Sequence, residues 1–155
     1  MALQAQTDTS LIIGCPSFRH EGNIPEKYTC EGDNTNPSLN IGNIPNATKT
    51  LALIMEDPDA PAGTFYHWVA WNIKPTDTIR ENSSPGSEGV NSKGKKGYTG
   101  PCPPTGTHRY FFRIYALDIS LDLPENTDRD ILLNAMQGHI IAEGELMGMY
   151  EKMRR

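Results

Sequence analysis

Asp57-Pro58-Asp59-Ala60-Pro61 places two carboxylates one residue apart, directly after the most apolar segment of the chain, Leu51-Ala52-Leu53-Ile54-Met55. Proline breaks both helix and sheet ladders and restricts the residue before it, so the run predicts a rigid turn at a strand's end. His67 opens the next apolar stretch, and a short connection can return it to the side of Asp57. A carboxylate beside an imidazole can set its tautomer, hold it protonated for an anion, or contribute to a metal site. A turn-stabilising aspartate and a buried, satisfied histidine form the competing interpretation.

A second set of candidate groups lies in Gly97-Tyr98-Thr99-Gly100-Pro101-Cys102-Pro103-Pro104-Thr105-Gly106-Thr107-His108-Arg109-Tyr110. Glycine lets backbone N–H groups approach a ligand and proline stiffens a loop, so the alternation predicts a backbone cradle for an anion. His108 and Tyr110 are two apart at the start of a strand, hence on one face, with Arg109 on the other and in a structural ion pair. Just upstream, Lys93-Gly94-Lys95-Lys96 concentrates positive charge, either as a docking rim for a phosphorylated partner or as a solvated run.

These groups need a β-rich frame. Glycine (14) and proline (12) cut most of the first 106 residues into short pieces without helical periodicity. The strands expected are Leu11–Ile13, Thr50–Met55, Tyr66–Ile73 and His108–Leu117; Tyr66–Ile73, apolar on both faces, reads as central, Arg109–Leu117 is similar, and together they should form the core sheet. Residues 21–45 predict loop with one or two edge strands, and residues 74–97 a long surface excursion. Thr127-Asp128-Arg129-Asp130 predicts a helix start, with the helix ending at Gly138, and a second helix is expected from about His139 to Lys152.

The 155 residues suit a single domain, 1–155, and the net charge of −5, spread along the chain, argues against nucleic acid as the main ligand. Cys15, Cys30 and Cys102 show no CxxC spacing, so no disulfide framework or zinc site is expected, and a reducing compartment fits. Met1–Ser10 lacks the pattern of a secretory leader, and no apolar run reaches the roughly 18 residues that span a bilayer. A soluble, cytoplasmic protein without membrane insertion is the expectation.

Taken together, Asp57-Pro58-Asp59-Ala60-Pro61, His67-Trp68-Val69, Gly97-Tyr98-Thr99-Gly100-Pro101 and Pro103–Tyr110 resemble the phosphatidylethanolamine-binding protein family, in particular its prokaryotic Raf-kinase-inhibitor-like branch. Tyr28-Thr29-Cys30-Glu31-Gly32 and Gly138–Leu146 are similar to further segments of that branch, while Tyr66 stands where the eukaryotic proteins usually carry a second histidine. The resemblance implies a mainly β fold, a β-sandwich of two antiparallel sheets with peripheral C-terminal helices. It also implies a pocket for phosphate, phosphorylated head groups or carboxylates. That pocket would comprise Asp57, Asp59, His67 and Tyr98, together with Gly100, Pro103, His108 and Tyr110. It further implies binding and regulation in place of catalysis, a kinase or protease as protein partner, and a homodimer; no cofactor and no metal are expected. The alternative is a hydrolase using the Asp/His pocket with a metal, or Cys102 as nucleophile, although no HxxxH or HxH spacing is present.

Overall fold

The computed structural model describes residues 10–153, so the leader expectation for the first nine residues lies outside it. The strands are β1 (Ile12–Gly14), β2 (Gly22–Asn23), β3 (Leu39–Gly42), β4 (Thr50–Asp57), β5 (Phe65–Ile73), β6 (Thr78–Ile79), β7 (Ser87–Glu88), β8 (Thr107–Leu117) and β9 (Ile140–Glu151). One helix, α1 (Arg129–Met136), precedes β9. The strands form a small sheet, β1-β3-β6, and a large one, β2-β9-β8-β4-β5-β7. The pairings are antiparallel except at one edge, where β2 runs parallel to β9.

Leu53, Met55, Trp68, Phe112 and Ile114 project from the large sheet onto Leu39, Ile41 and Ile79 of the small one, making the main core. The opposite face of β4 and β5 carries Ile54, Val69 and Trp71, covered by Leu132 and Met136 of α1. Both faces of these strands are thus buried, which is why they read as continuous apolar runs. Asp128 caps α1, its side chain accepting from the backbone N–H of Ile131 at 3.0 Å.

Two expectations change. The excursion of residues 74–97 contributes an edge strand to each sheet, β6 and β7. The second helix does not form; its residues are β9, paired with β8 from Thr107↔Glu151 to Leu117↔Ile140. Along β9, Ala142, Leu146 and Tyr150 are buried with Gly144 and Gly148 between them on the same face. The two glycines break the apolar alternation that would have marked a strand, and they exist for close approach. A Cβ on Gly144 would sit 2.2 Å from the Leu11 carbonyl oxygen, and one on Gly148 would sit 2.6 Å from Ile24. Among the described residues no helix is long and apolar enough to cross a membrane.

Gly144→Val is expected to lower unfolding free energy by about 1–3 kcal/mol, because the Leu11 backbone must move. Glu145→Gln, on the solvent face of the same strand, should stay within about 1 kcal/mol, as an exposed ion pair allows. Urea denaturation of both variants checks this.

Candidate functional site

The C-terminal end of β4 meets the N-terminal ends of β5 and β8; β4 delivers Asp57, β5 His67, and β8 both His108 and Tyr110. Asp57, the last residue of β4, is only 3% exposed. Its Oδ2 lies 2.7 Å from His108 Nδ1, and its Oδ1 accepts the backbone N–H of Asp59 at 2.8 Å. A carboxylate accepts, so His108 carries its proton on Nδ1 and leaves Nε2 for a ligand. Asp57 therefore orients His108, not the nearer-in-sequence His67.

His67 instead sets its Nδ1 against the Thr99 carbonyl at 2.7 Å. A carbonyl can only accept, so this ring too is protonated on Nδ1. Its ring packs 4.7 Å from Phe65 and edge-on to Tyr110 at 5.3 Å, between centroids. Burial pushes the His67 pKa below its ordinary value; the Thr99 carbonyl and the Asp57 charge oppose this without cancelling it. Tyr110 is fully buried, and its hydroxyl lacks a hydrogen-bond partner of good geometry, although Asp57 and the Cys102 backbone are near. Burial, reinforced by the charges of Asp57 and Asp59, drives the Tyr110 pKa far up, so it stays a proton donor.

Two expected pocket residues have other work. Asp59 is held by Arg109 through Nε at 3.0 Å and Nη2 at 2.9 Å, and it also accepts the Arg109 backbone N–H at 2.9 Å. The guanidinium lowers the Asp59 pKa to about 2. Asp59 orients no histidine, and the alternation that puts Arg109 on the far face of β8 takes Asp59 with it. Tyr98 donates to the Tyr28 carbonyl at 2.6 Å and stands edge-on to Trp68 at 5.4 Å. It supports the loop from below and does not line the cavity.

The glycine and proline loop is clamped onto residues 28–34. Cys30 and Cys102 form a disulfide with Cα atoms 5.5 Å apart, across a sequence separation of 72. Beside it the Cys30 N–H donates to the Pro101 carbonyl at 3.1 Å, and the Gly100 N–H to Asn34 Oδ1 at 2.8 Å. Gly100 is required there, since a Cβ would lie 2.3 Å from the Tyr28 carbonyl oxygen. The disulfide overturns the expectation of unpaired cysteines, and Cys102, being bonded, is no free nucleophile. The backbone cradle is also revised, because the N–H groups of Gly97, Thr99 and Gly100 are engaged within the protein. The loop is a wall, and side chains supply the donors.

The result is a cavity of about 290 Å³. Of the expected residues, Asp57, His67, Gly100, Pro103, His108 and Tyr110 line it. Sequence reasoning missed the apolar wall of Ala60, Pro61, Phe65 and Pro104, and saw Lys93 only as part of a charged run. Phe65 could have been found, being two residues from His67 and so on the same strand face. Among the described residues no group of three or more His, Cys, Asp or Glu is placed to hold a metal ion. The arrangement offers two imidazoles and a phenol to one small ligand, in surroundings that strengthen hydrogen bonds to an anion.

The family model described as phosphatidylethanolamine-binding protein matches residues 15–151. A UPF0098 protein of Methanothermobacter thermautotrophicus is 44% identical over 144 residues, covering 88% of this chain and 95% of its own. Another, from Chlamydia pneumoniae, is 46% identical over 147 residues, covering 88% of this chain and 96% of its own. Among solved structures, a phosphatidylethanolamine-binding protein homologue from Chlamydia trachomatis superposes with a TM-score of 0.90 at 39% identity, covering 94% of this chain and 99% of that one. YbcL of Escherichia coli, described as a member of the mammalian family, gives 0.85 at 25% identity, covering 92% and 99%.

Two pH dependences and one double substitution check this geometry. A histidine with a lowered folded pKa leaves the unfolded chain holding more protons, so stability is full above about 6.5 and falls as pH drops below it, by up to about 1.4 kcal/mol per pH unit. His67→Gln should flatten that slope in denaturation curves. The depressed Asp59 pKa works in the same direction at lower pH: its stabilisation is present above the unfolded value and is lost as pH falls through about 2. Carbon-detected NMR should find Asp59 titrating there, and back in the ordinary range in Arg109→Leu. Replacing Cys30 and Cys102 together by serine should cost about 2–4 kcal/mol in urea unfolding.

Proposed function

The chain belongs to the phosphatidylethanolamine-binding protein family, and from that premise we propose that it is a small-anion-binding protein acting as a regulator, not a catalyst. The observation that carries this is the convergence of His67, His108 and the unpartnered Tyr110 hydroxyl on one cavity with an apolar wall. The anion is a phosphate or a phosphorylated head group. Nε2 of each histidine becomes a donor when the ring is protonated, and Tyr110 is a donor throughout. Asp57 holds His108 in the tautomer that presents Nε2, and it stabilises the imidazolium that a bound anion favours.

Regulation would follow if the occupied pocket rim docks on a kinase or another signalling protein, with a homodimer as an available assembly. The hydrolase alternative lacks support in the site: Cys102 is bonded to Cys30, and the Asp59 carboxylate is engaged by Arg109. A cytoplasmic location belongs to this proposal, although the disulfide argues for an oxidising compartment. Trapping and alkylating free thiols at the moment of cell lysis separates the two.

Anion affinity should rise as pH falls below the ordinary imidazole value of about 6.5, with proton uptake on binding because His67 starts neutral. Calorimetric titration with inorganic sulfate, whose charge is constant there, in buffers of different ionisation enthalpy measures both. Equal affinity on the two sides of that value removes the imidazolium from the account. Asp57→Asn should weaken binding about tenfold or more while the protein remains folded, one charge-assisted hydrogen bond being lost.

A further inference from the structure

Resting on the anion-binding proposal above, we infer that the Cys30–Cys102 bond is a site of thiol–disulfide exchange on the pocket wall, open to a dithiol reductant, and that its redox state sets the pocket's anion affinity. Both cysteines line the cavity and both are exposed. A thiolate must reach a sulfur directly to displace its partner, and exposed disulfides are the labile ones. The exchange balances with the dithiol as the one co-reactant. A thiolate of the dithiol attacks one sulfur of the bond, and the other cysteine leaves as a thiolate. The second thiol then closes on the mixed disulfide. The dithiol is thereby oxidised to its internal disulfide, two electrons pass to the protein, and the two protons end on Cys30 and Cys102.

The bond joins two unequally fastened segments. Cys30 sits in a turn with anchors of its own: Glu31 accepts from the Tyr150 hydroxyl at 2.5 Å and the Met153 N–H at 2.8 Å, and the Gly32 N–H donates to the Thr29 carbonyl at 3.0 Å. Cys102 begins the least fastened part of the wall. Pro103 and Pro104 line the cavity, yet no hydrogen bond or ion pair joins residues 103–106 to any other described residue. The two prolines have no N–H to give. This stretch is held at Thr107, which pairs with Glu151 of β9, and at Cys102 through the disulfide. Opening the bond therefore loosens the wall and leaves the donors in place, since His67, His108 and Tyr110 stand on β5 and β8. A wall that must be ordered as the anion arrives lowers affinity by the cost of that ordering. By reciprocity, an anion that prefers the ordered wall makes the bond harder to reduce by the same factor.

Equilibrating the protein with mixtures of reduced and oxidised dithiothreitol, with and without saturating inorganic sulfate, tests this. Acid quenching, alkylation and mass spectrometry read the redox state, because reduction extends the free thiols from Cys15 to Cys30 and Cys102. Reduction of the folded protein is expected, with sulfate raising the reduced-to-oxidised dithiothreitol ratio at the midpoint by about fivefold to fiftyfold. Calorimetry should find sulfate bound more weakly by the reduced protein, by that same factor. Amide exchange at Gly100 and Cys30, whose hydrogen bonds bridge the two segments, should quicken on reduction while Leu53 and Ile114 stay protected. Equal sulfate affinity in the two states, or a bond that dithiothreitol opens only as the whole chain unfolds or not at all, would overturn the inference and leave the anion-binding proposal standing. The Cys30→Ser/Cys102→Ser protein makes the same comparison without a reductant, and sulfate affinity equal to that of oxidised wild type would overturn the coupling. Failure of oxidised wild type to bind sulfate removes both readings.

Discussion

A buried carboxylate at the end of β4 is the constraint on which the site depends. Removing a charged group from water costs several kcal/mol unless each oxygen finds a donor, and Asp57 finds one on each side. The Asp59 N–H closes the turn that the two prolines stiffen, and His108 ties the end of β4 to the start of β8. One group thereby sets the path of the chain after β4, the rotamer of a histidine on a neighbouring strand and the tautomer of its ring. A site positioned in this way rests on paired strands, so its geometry inherits the rigidity of the large sheet.

The two histidines sit in different settings although both point into the same cavity. His108 faces the Asp57 carboxylate; His67 faces a carbonyl and two aromatic rings, and its burial favours the neutral form. Tyr110 lies between them, packed against both rings, its hydroxyl kept protonated by burial and by nearby negative charge. The pocket therefore contains a graded set of donors instead of a fixed positive charge. Lys93, an exposed lysine, also lines the cavity.

The wall opposite these groups has its own anchorage. The Cys30–Cys102 bond, the Gly100 N–H to Asn34 and the Tyr98 hydroxyl to Tyr28 fasten the loop at three heights. Prolines supply no N–H to that wall, and the N–H groups of Gly97, Thr99 and Gly100 are engaged within the protein. The two imidazoles and the phenol that line the cavity come from β5 and β8.

Local pattern alone determined much of this. Alternation placed His108 and Tyr110 on one face of β8 and Arg109 on the other, apolar runs marked β5 and β8 as core strands, and Asp128 announced α1. Those properties depend on neighbours within a few residues, which a chain carries wherever it folds. Tertiary structure decided the rest. β9 was hidden because Gly144 and Gly148 give no hydrophobic signal until Leu11 and Ile24 press against them. The disulfide joins residues 72 apart, a distance across which spacing says nothing. Asp57 chose His108 over His67 because the register of β4 on β8, not proximity along the chain, brings their side chains together. Asp59, Tyr98 and Lys93 were sorted in the same way, since a polar residue's role is set by the partner it meets, and the partner comes from another strand or loop.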